Sequence, residues 1–353
     1  MYQRIDGRRA ENDALRRAGL RGGAFGSLST EEFAGRPAAV TPRDEIDFGS
    51  IRVLDGGLAT ELERRGCDIS GPLWSAHVLD SAPETIAAVH LEYLRAGADC
   101  IATASYQVSA RGFREAGRTA QDAERALRQS VEIAEQARAA YARESGRRAW
   151  IAVSLGPYGA ALHNGAEYHG RYEIGLDELT DFHAERLAIA AQTGADMVAL
   201  ETIPSLEEAR AILRALESLP ELQSAWISFT CRDGRHVAHG EMMCDCAEAV
   251  AASPQVLAVG INCTAPHLVG ELIREAQRGS GGRRPVIVYP NSGEAWDAMT
   301  RSWSGAADTK RYGEMAAEWF AAEVQAVGGC CRTGPDHIAE VARAAKAKAT
   351  RSS

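Results

Sequence analysis

Beyond residue 50 the chain alternates at a steady pace between short apolar runs and amphipathic tracts. No other feature limits its fold as much. The apolar runs are Ile51-Arg52-Val53-Leu54, Asp99-Cys100-Ile101-Ala102-Thr103, Trp150-Ile151-Ala152-Val153-Ser154 and Asp196-Met197-Val198-Ala199-Leu200-Glu201. They continue with Ala225-Trp226-Ile227-Ser228-Phe229, the stretch from Val256 to Cys263, Pro285-Val286-Ile287-Val288-Tyr289 and residues 324–329. Helical patterns follow them at 84–96, 119–143, 177–193, 205–218, 245–252, 267–278, 311–323 and 335–349. Pro83 and Glu84 open the first of these as an N-terminal proline and a first-turn acid. Short apolar strands separated by helices predict a parallel sheet covered on both faces. Eight such units in about 300 residues fit an α/β fold of one (β/α)8 TIM barrel better than an open doubly wound sheet. No GxGxxG or GxxxxGKS/T follows the first run, which weakens dinucleotide and nucleotide binding.

Residues 1–48 are rich in Arg, Gly and Glu and hold no strand-like run. They read as a flexible N-terminal extension, with the barrel domain over 49–353. A net charge of −9 and a pI near 5.6 argue against a nucleic-acid partner, which needs a basic face. Only three lysines occur, Lys310, Lys346 and Lys348, so Schiff-base chemistry is removed from almost the whole chain. No apolar run is long enough to span a membrane, and the N-terminus lacks the apolar core of a signal peptide. Eight cysteines dispersed in a chain this long suit a reducing, cytoplasmic setting, where clustered thiols bind metal more often than they form disulfides.

In a barrel, chemistry gathers at the C-terminal ends of the strands. Read so, Asp55 follows strand one, Glu201 ends strand four, Cys263 ends strand six, Asn291 follows strand seven, and Cys330-Cys331 follow strand eight after Gly328-Gly329. A lone cysteine is usually a small buried hydrophobe. Three at adjoining strand ends suggest a metal site, and zinc is the metal that suits three thiolates and keeps a fourth position open. Cys67, Cys100, Cys231, Cys244 and Cys246 lack that setting and read as structural. Three thiolates leave the site with one net negative charge, a poor Lewis acid for water but able to lower the pKa of a bound substrate thiol. Asp55 and Glu201 then suit an ammonium group, and the N–H groups of Gly56 and Gly57 a carboxylate. The ordinary alternatives are a turn start for Asp55 and a local cap or pair for Glu201. The loop Asn164-Gly165-Ala166-Glu167-Tyr168-His169-Gly170-Arg171-Tyr172 is either a lid or a long surface loop.

Several stretches resemble the homocysteine S-methyltransferase family: Asp55-Gly56-Gly57-Leu58-Ala59-Thr60-Glu61-Leu62, Gly260-Ile261-Asn262-Cys263-Thr264 and Gly328-Gly329-Cys330-Cys331-Arg332-Thr333. Thr103-Ala104-Ser105-Tyr106-Gln107, Ser154-Leu155-Gly156-Pro157-Tyr158-Gly159, Leu200-Glu201-Thr202-Ile203-Pro204 and Tyr289-Pro290-Asn291-Ser292-Gly293-Glu294 are similar as well. The likeness covers about residues 50–345 and is greatest to the branch that takes methyl from S-methylmethionine. It implies a (β/α)8 barrel with zinc on Cys263, Cys330 and Cys331. It implies homocysteine as acceptor, its amino group on Asp55 and Glu201, and methionine as product. Cobalamin and folate are not implied. S-adenosylmethionine remains an alternative donor and a selenol an alternative acceptor, and the oligomeric state is open. A zinc hydrolase and a non-catalytic zinc or thiol sensor are the readings of other classes.

Overall fold

The structure is a computed structural model, and it describes residues 46–352 except 70, 72, 74, 223, 298–301 and 305–307. Most of the expected extension, residues 1–45, lies outside the described residues.

Seven parallel strands form the sheet: β1 (Cys100–Ala102), β2 (Trp150–Leu155), β3 (Met197–Ile203), β4 (Ala225–Phe229), β5 (Val256–Asn262), β6 (Val286–Tyr289) and β9 (Ala326–Val327). They pair in that order, each with the next. A separate antiparallel ribbon, β7 (Ala295–Asp297) with β8 (Ser302–Ser304), occupies the stretch after β6 and was not expected. The first expected strand is a correction. It shrinks to two bridging residues, Val53 facing Val327 and Leu54 facing Cys100, both parallel. Leu54 N–H donates to Val327 O at 2.9 Å and Asp55 N–H to Cys100 O at 3.1 Å, so this segment lies between β9 and β1. The Asp99 carboxylate explains its shortness: Oδ2 accepts from both Arg52 and Val53 N–H at 3.0 Å, taking donors a longer ladder would use.

Side chains alternate along each strand, and two clusters result. Ile151, Val153, Val198, Leu200, Ile227, Val259, Ile261 and Val288 pack with the helices. Leu54, Trp150, Ala152, Met197, Ala199, Trp226, Ala258 and Ile287 form the other cluster, on the opposite face. Period 2 carries that second face onward from Met197 and Ala199 to Glu201, and from Trp226 to Ser228, so polar groups appear at its C-terminal end. Some helices open on a side-chain cap, where Ser109, Thr119, Ser205 or Asp308 accepts from a first-turn N–H. Thr119 and Asp122 make a reciprocal capping box on the helix Ala120–Ser145, a contribution of about 1 kcal/mol. The expected helices recur within a few residues, and short helices at Leu58–Arg64, Ser75–Ser81, Ala110–Glu115 and Tyr158–Ala161 add to them. Among the described residues, no helix is long and apolar enough to cross a membrane.

Candidate active site

Three thiols meet at the C-terminal edge of the sheet. The Sγ atoms of Cys263, Cys330 and Cys331 all lie within 4.8 Å of one another, with Cys263 and Cys331 3.6 Å apart. Cys263 is the first residue after β5 and takes φ = +47°, a left-handed conformation costly for a side chain with a Cβ. Its carbonyl accepts from Thr230 Oγ1 at 3.2 Å, and its N–H donates to Tyr289 O. Cys330 and Cys331 sit on the turn after β9. Cys330 N–H donates to Pro290 O at 2.8 Å, and Cys331 N–H to Asn291 Oδ1 at 3.2 Å. The loop after β6 therefore holds the thiol pair by its backbone, and Asn291 takes part in that.

Tetrahedral zinc with Zn–S bonds of about 2.3 Å needs sulfurs about 3.8 Å apart, so this spacing and donor set fit the ion. Among the described residues no other three histidine, cysteine or acidic side chains approach so closely.

The carboxylates flank the cluster. Asp55 is buried, and its Oδ2 accepts from Ala102 N–H at 2.8 Å. Burial pushes its carboxyl well above the usual range, and the charge of Glu201 adds to the rise. Glu201 accepts from Ser154 Oγ; burial raises its carboxyl too, opposed by hydrogen bonds from Ser154 and Tyr289. Tyr289 OH stands 2.6 Å from Ser228 Oγ and accepts from Trp226 Nε1 at 3.0 Å, which fixes that hydroxyl beside Glu201. Two desolvated carboxylates without a cation are poised for a positively charged ligand.

The glycines divide in function. Gly57 N–H already donates to Thr333 O and Oγ1, both at 3.1 Å. A Cβ on Gly57 would stand 2.5 Å from Cys330 O, so glycine is what lets this turn touch the thiol-bearing one. Gly56 N–H has no such partner among the described residues.

Sequence reasoning missed three supports. Thr202 takes φ = +63° and exchanges two 2.8 Å hydrogen bonds with the buried Asn262, from its N–H to Oδ1 and from Nδ2 to its Oγ1. Thr333 ties Gly57 to Cys330. Tyr168, in the loop read as a lid or a surface segment, brings its hydroxyl to 3.7 Å from Cys263 Sγ. Nearness to the Cys263 sulfur, then burial of the hydroxyl itself, pushes that hydroxyl above its ordinary value. Only the loop's polar, glycine-bearing composition hinted at it.

The free protein carries a stability cost here. Asp55 has a folded pKa above its unfolded one, so its contribution is most favourable below the unfolded value and is lost as pH rises through the folded value. Asp55→Asn, which keeps an acceptor for Ala102, is therefore expected to melt at the same temperature as the parent or higher at neutral pH while losing homocysteine affinity. A lower melting temperature would contradict that account.

A parallel α/β sheet whose strand ends gather three thiols and two carboxylates, one buried and one half-buried, defines an enzyme site. Residues 52–345 match the family profile described as homocysteine S-methyltransferase. A curated relative from Bacillus subtilis, homocysteine S-methyltransferase YbgG, is 44% identical over 310 residues, covering 86% of this chain and 98% of the relative. Selenocysteine Se-methyltransferase of Brassica oleracea var. italica is 41% identical over 309 residues, 83% of this chain and 88% of its own. The crystal structure of the metallated homocysteine methyltransferase MmuM from Escherichia coli superposes with a TM-score of 0.75 at 38% identity, covering 85% of this chain and 97% of that one. The chain belongs to the homocysteine S-methyltransferase family, and it is a methyltransferase.

Proposed function

We propose that this protein is a zinc-dependent homocysteine S-methyltransferase, a single (β/α)8 barrel over residues 49–353, that takes methyl from a sulfonium donor, S-methylmethionine in preference to S-adenosylmethionine. The convergence of three cysteine Sγ atoms within 4.8 Å, flanked by the buried carboxylate of Asp55 and the half-buried one of Glu201, carries the reading. Cys263, Cys330 and Cys331 would hold the ion, which when bound lowers the pKa of a substrate thiol and leaves it nucleophilic.

The chain's own groups then bind and orient. Asp55 and Glu201 accept hydrogen bonds from the homocysteine ammonium, a cation that offsets the cost of burying both acids. Gly56 N–H serves the substrate carboxylate, with Gly57 supplying the close approach and Asn291 its side-chain amide. Held this way, the thiolate attacks the methyl carbon in line. The new S–C bond forms as the donor's S–C bond breaks with its electron pair, and a neutral thioether leaves without a proton. Alignment supplies much of the rate, since fixing the reactants removes a large entropic barrier.

A selenol acceptor is a second reading, favoured by the likeness to the Brassica selenocysteine Se-methyltransferase. The test is to count zinc in reduced protein and assay methionine formation from homocysteine with each donor. About one zinc per chain and fastest turnover with S-methylmethionine is expected. Zinc without transfer from any sulfonium would refute the function.

A further inference from the structure

Two buried acceptors on segments that leave the C-terminal edge of the sheet lack partners. Glu167 is 9% exposed and Gln107 7% exposed; Glu167 Oε2 and Gln107 Oε1 are shielded from water and accept no hydrogen bond. Gln107 follows β1 and Glu167 follows β2, so both lie on segments leaving the sheet edge that carries the cysteines. Each is followed or preceded in the sequence by a tyrosine. Tyr168, next to Glu167, has its hydroxyl 3.7 Å from Cys263 Sγ while 45% of the residue stays exposed. Tyr106, next to Gln107, lies against the segment after β2: its carbonyl accepts from Gly156 N–H at 2.9 Å, and a Cβ on Gly156 would stand 2.7 Å from its ring. The helix Tyr158–Ala161 keeps Glu167 inboard: a Cβ on Gly159 would collide with the Glu167 backbone, so only glycine allows that approach.

Burial raises the Glu167 carboxyl, opposed only by its own backbone N–H, so no protein cation offsets it. An orphaned buried acceptor costs about 1–3 kcal/mol, more for a charged one. Groups left this way in a cleft suit a ligand that brings both charge and donors. The homocysteine ammonium has Asp55 and Glu201 and does not need them. The other reactant is a cation.

We propose that Glu167 and Gln107, with the rings of Tyr106 and Tyr168, form the pocket for the sulfonium methyl donor. Glu167 balances the donor's positive charge, Gln107 accepts from its ammonium, and the tyrosine faces cover the sulfonium. The inference rests on the sulfonium-donor reading proposed above. In the reaction the donor's S–CH3 bond breaks, its electron pair stays on the donor sulfur, and the sulfonium charge is lost. A carboxylate pocket therefore holds the donor better than its demethylated product and favours product release. Because Glu167 stabilises the cation before reaction, its loss acts on donor KM more than on kcat.

The experiment compares the zinc-loaded full chain with Glu167→Gln and Gln107→Leu. It reads donor KM, homocysteine KM and zinc content. It also reads calorimetric binding of S-methylmethionine and of methionine, its neutral thioether counterpart. Glu167→Gln is expected to raise donor KM about tenfold or more with homocysteine KM and zinc unchanged, and to shrink the preference for sulfonium over thioether by the same factor. Gln107→Leu is expected to weaken both probes alike and spare that preference. An unchanged donor KM in Glu167→Gln, or an equal rise in both KM values, overturns the pocket. Failure of the parent protein to use any sulfonium donor overturns the sulfonium-donor reading itself, and this inference with it.

Discussion

Cys263→Ser is expected to strip the protein of zinc and of methyl transfer while leaving it folded. The hydroxyl is a near isostere of the thiol at a position 8% exposed, so packing and the left-handed backbone can persist. The serine oxygen, however, does not ionise as a thiolate does, and two remaining thiols do not make the three-sulfur set. Zinc should fall from about one per chain to below about a tenth, and turnover by about a thousandfold or more, several kcal/mol of lost charge stabilisation. Circular dichroism should match the parent. Full activity in the folded variant would remove the cluster from the mechanism.

Glu201→Ala is the second large effect, and it separates differently. The carboxylate reaches Ser154 rather than a thiol, so zinc content should stay as in the parent. Homocysteine KM should rise about tenfold to a hundredfold, the worth of one desolvated charge-assisted hydrogen bond at about 1.5–3 kcal/mol. Glu201→Gln retains the shape and the bond to Ser154 without the charge, and should recover little of the affinity. A homocysteine KM equal to the parent's in both variants would take the ammonium away from this residue.

Much of this was legible in the chain. The strands from Cys100 onward fall where the apolar runs do, because a sheet covered on both faces needs continuous apolar stretches of strand length. The first run misled: Ile51-Arg52-Val53-Leu54 has strand character, but Asp99, far along the chain, takes its N–H groups and leaves two bridges. The ribbon strands Ala295–Asp297 and Ser302–Ser304 are three residues each with one tryptophan apiece, too short for periodicity to register. Tyr168 was invisible as a site residue, since a tyrosine in a glycine-bearing loop looks the same whether it faces solvent or a thiol.

The sequence alone determined the α/β class, the order of strands and helices, and the delivery of Cys263, Cys330, Cys331, Asp55 and Glu201 to strand ends. Those follow from local periodicity and chain order, which one-dimensional information carries. Tertiary structure alone decided that three sulfurs lie within 4.8 Å, that Gly57 donates to Thr333, and that Glu167 and Gln107 are buried without partners. Each depends on residues far apart in the chain, set by how the strands pair and by which backbone turns accept a left-handed residue. Cys263 lies 68 residues from Cys331, and only the packed sheet closes that gap to 3.6 Å.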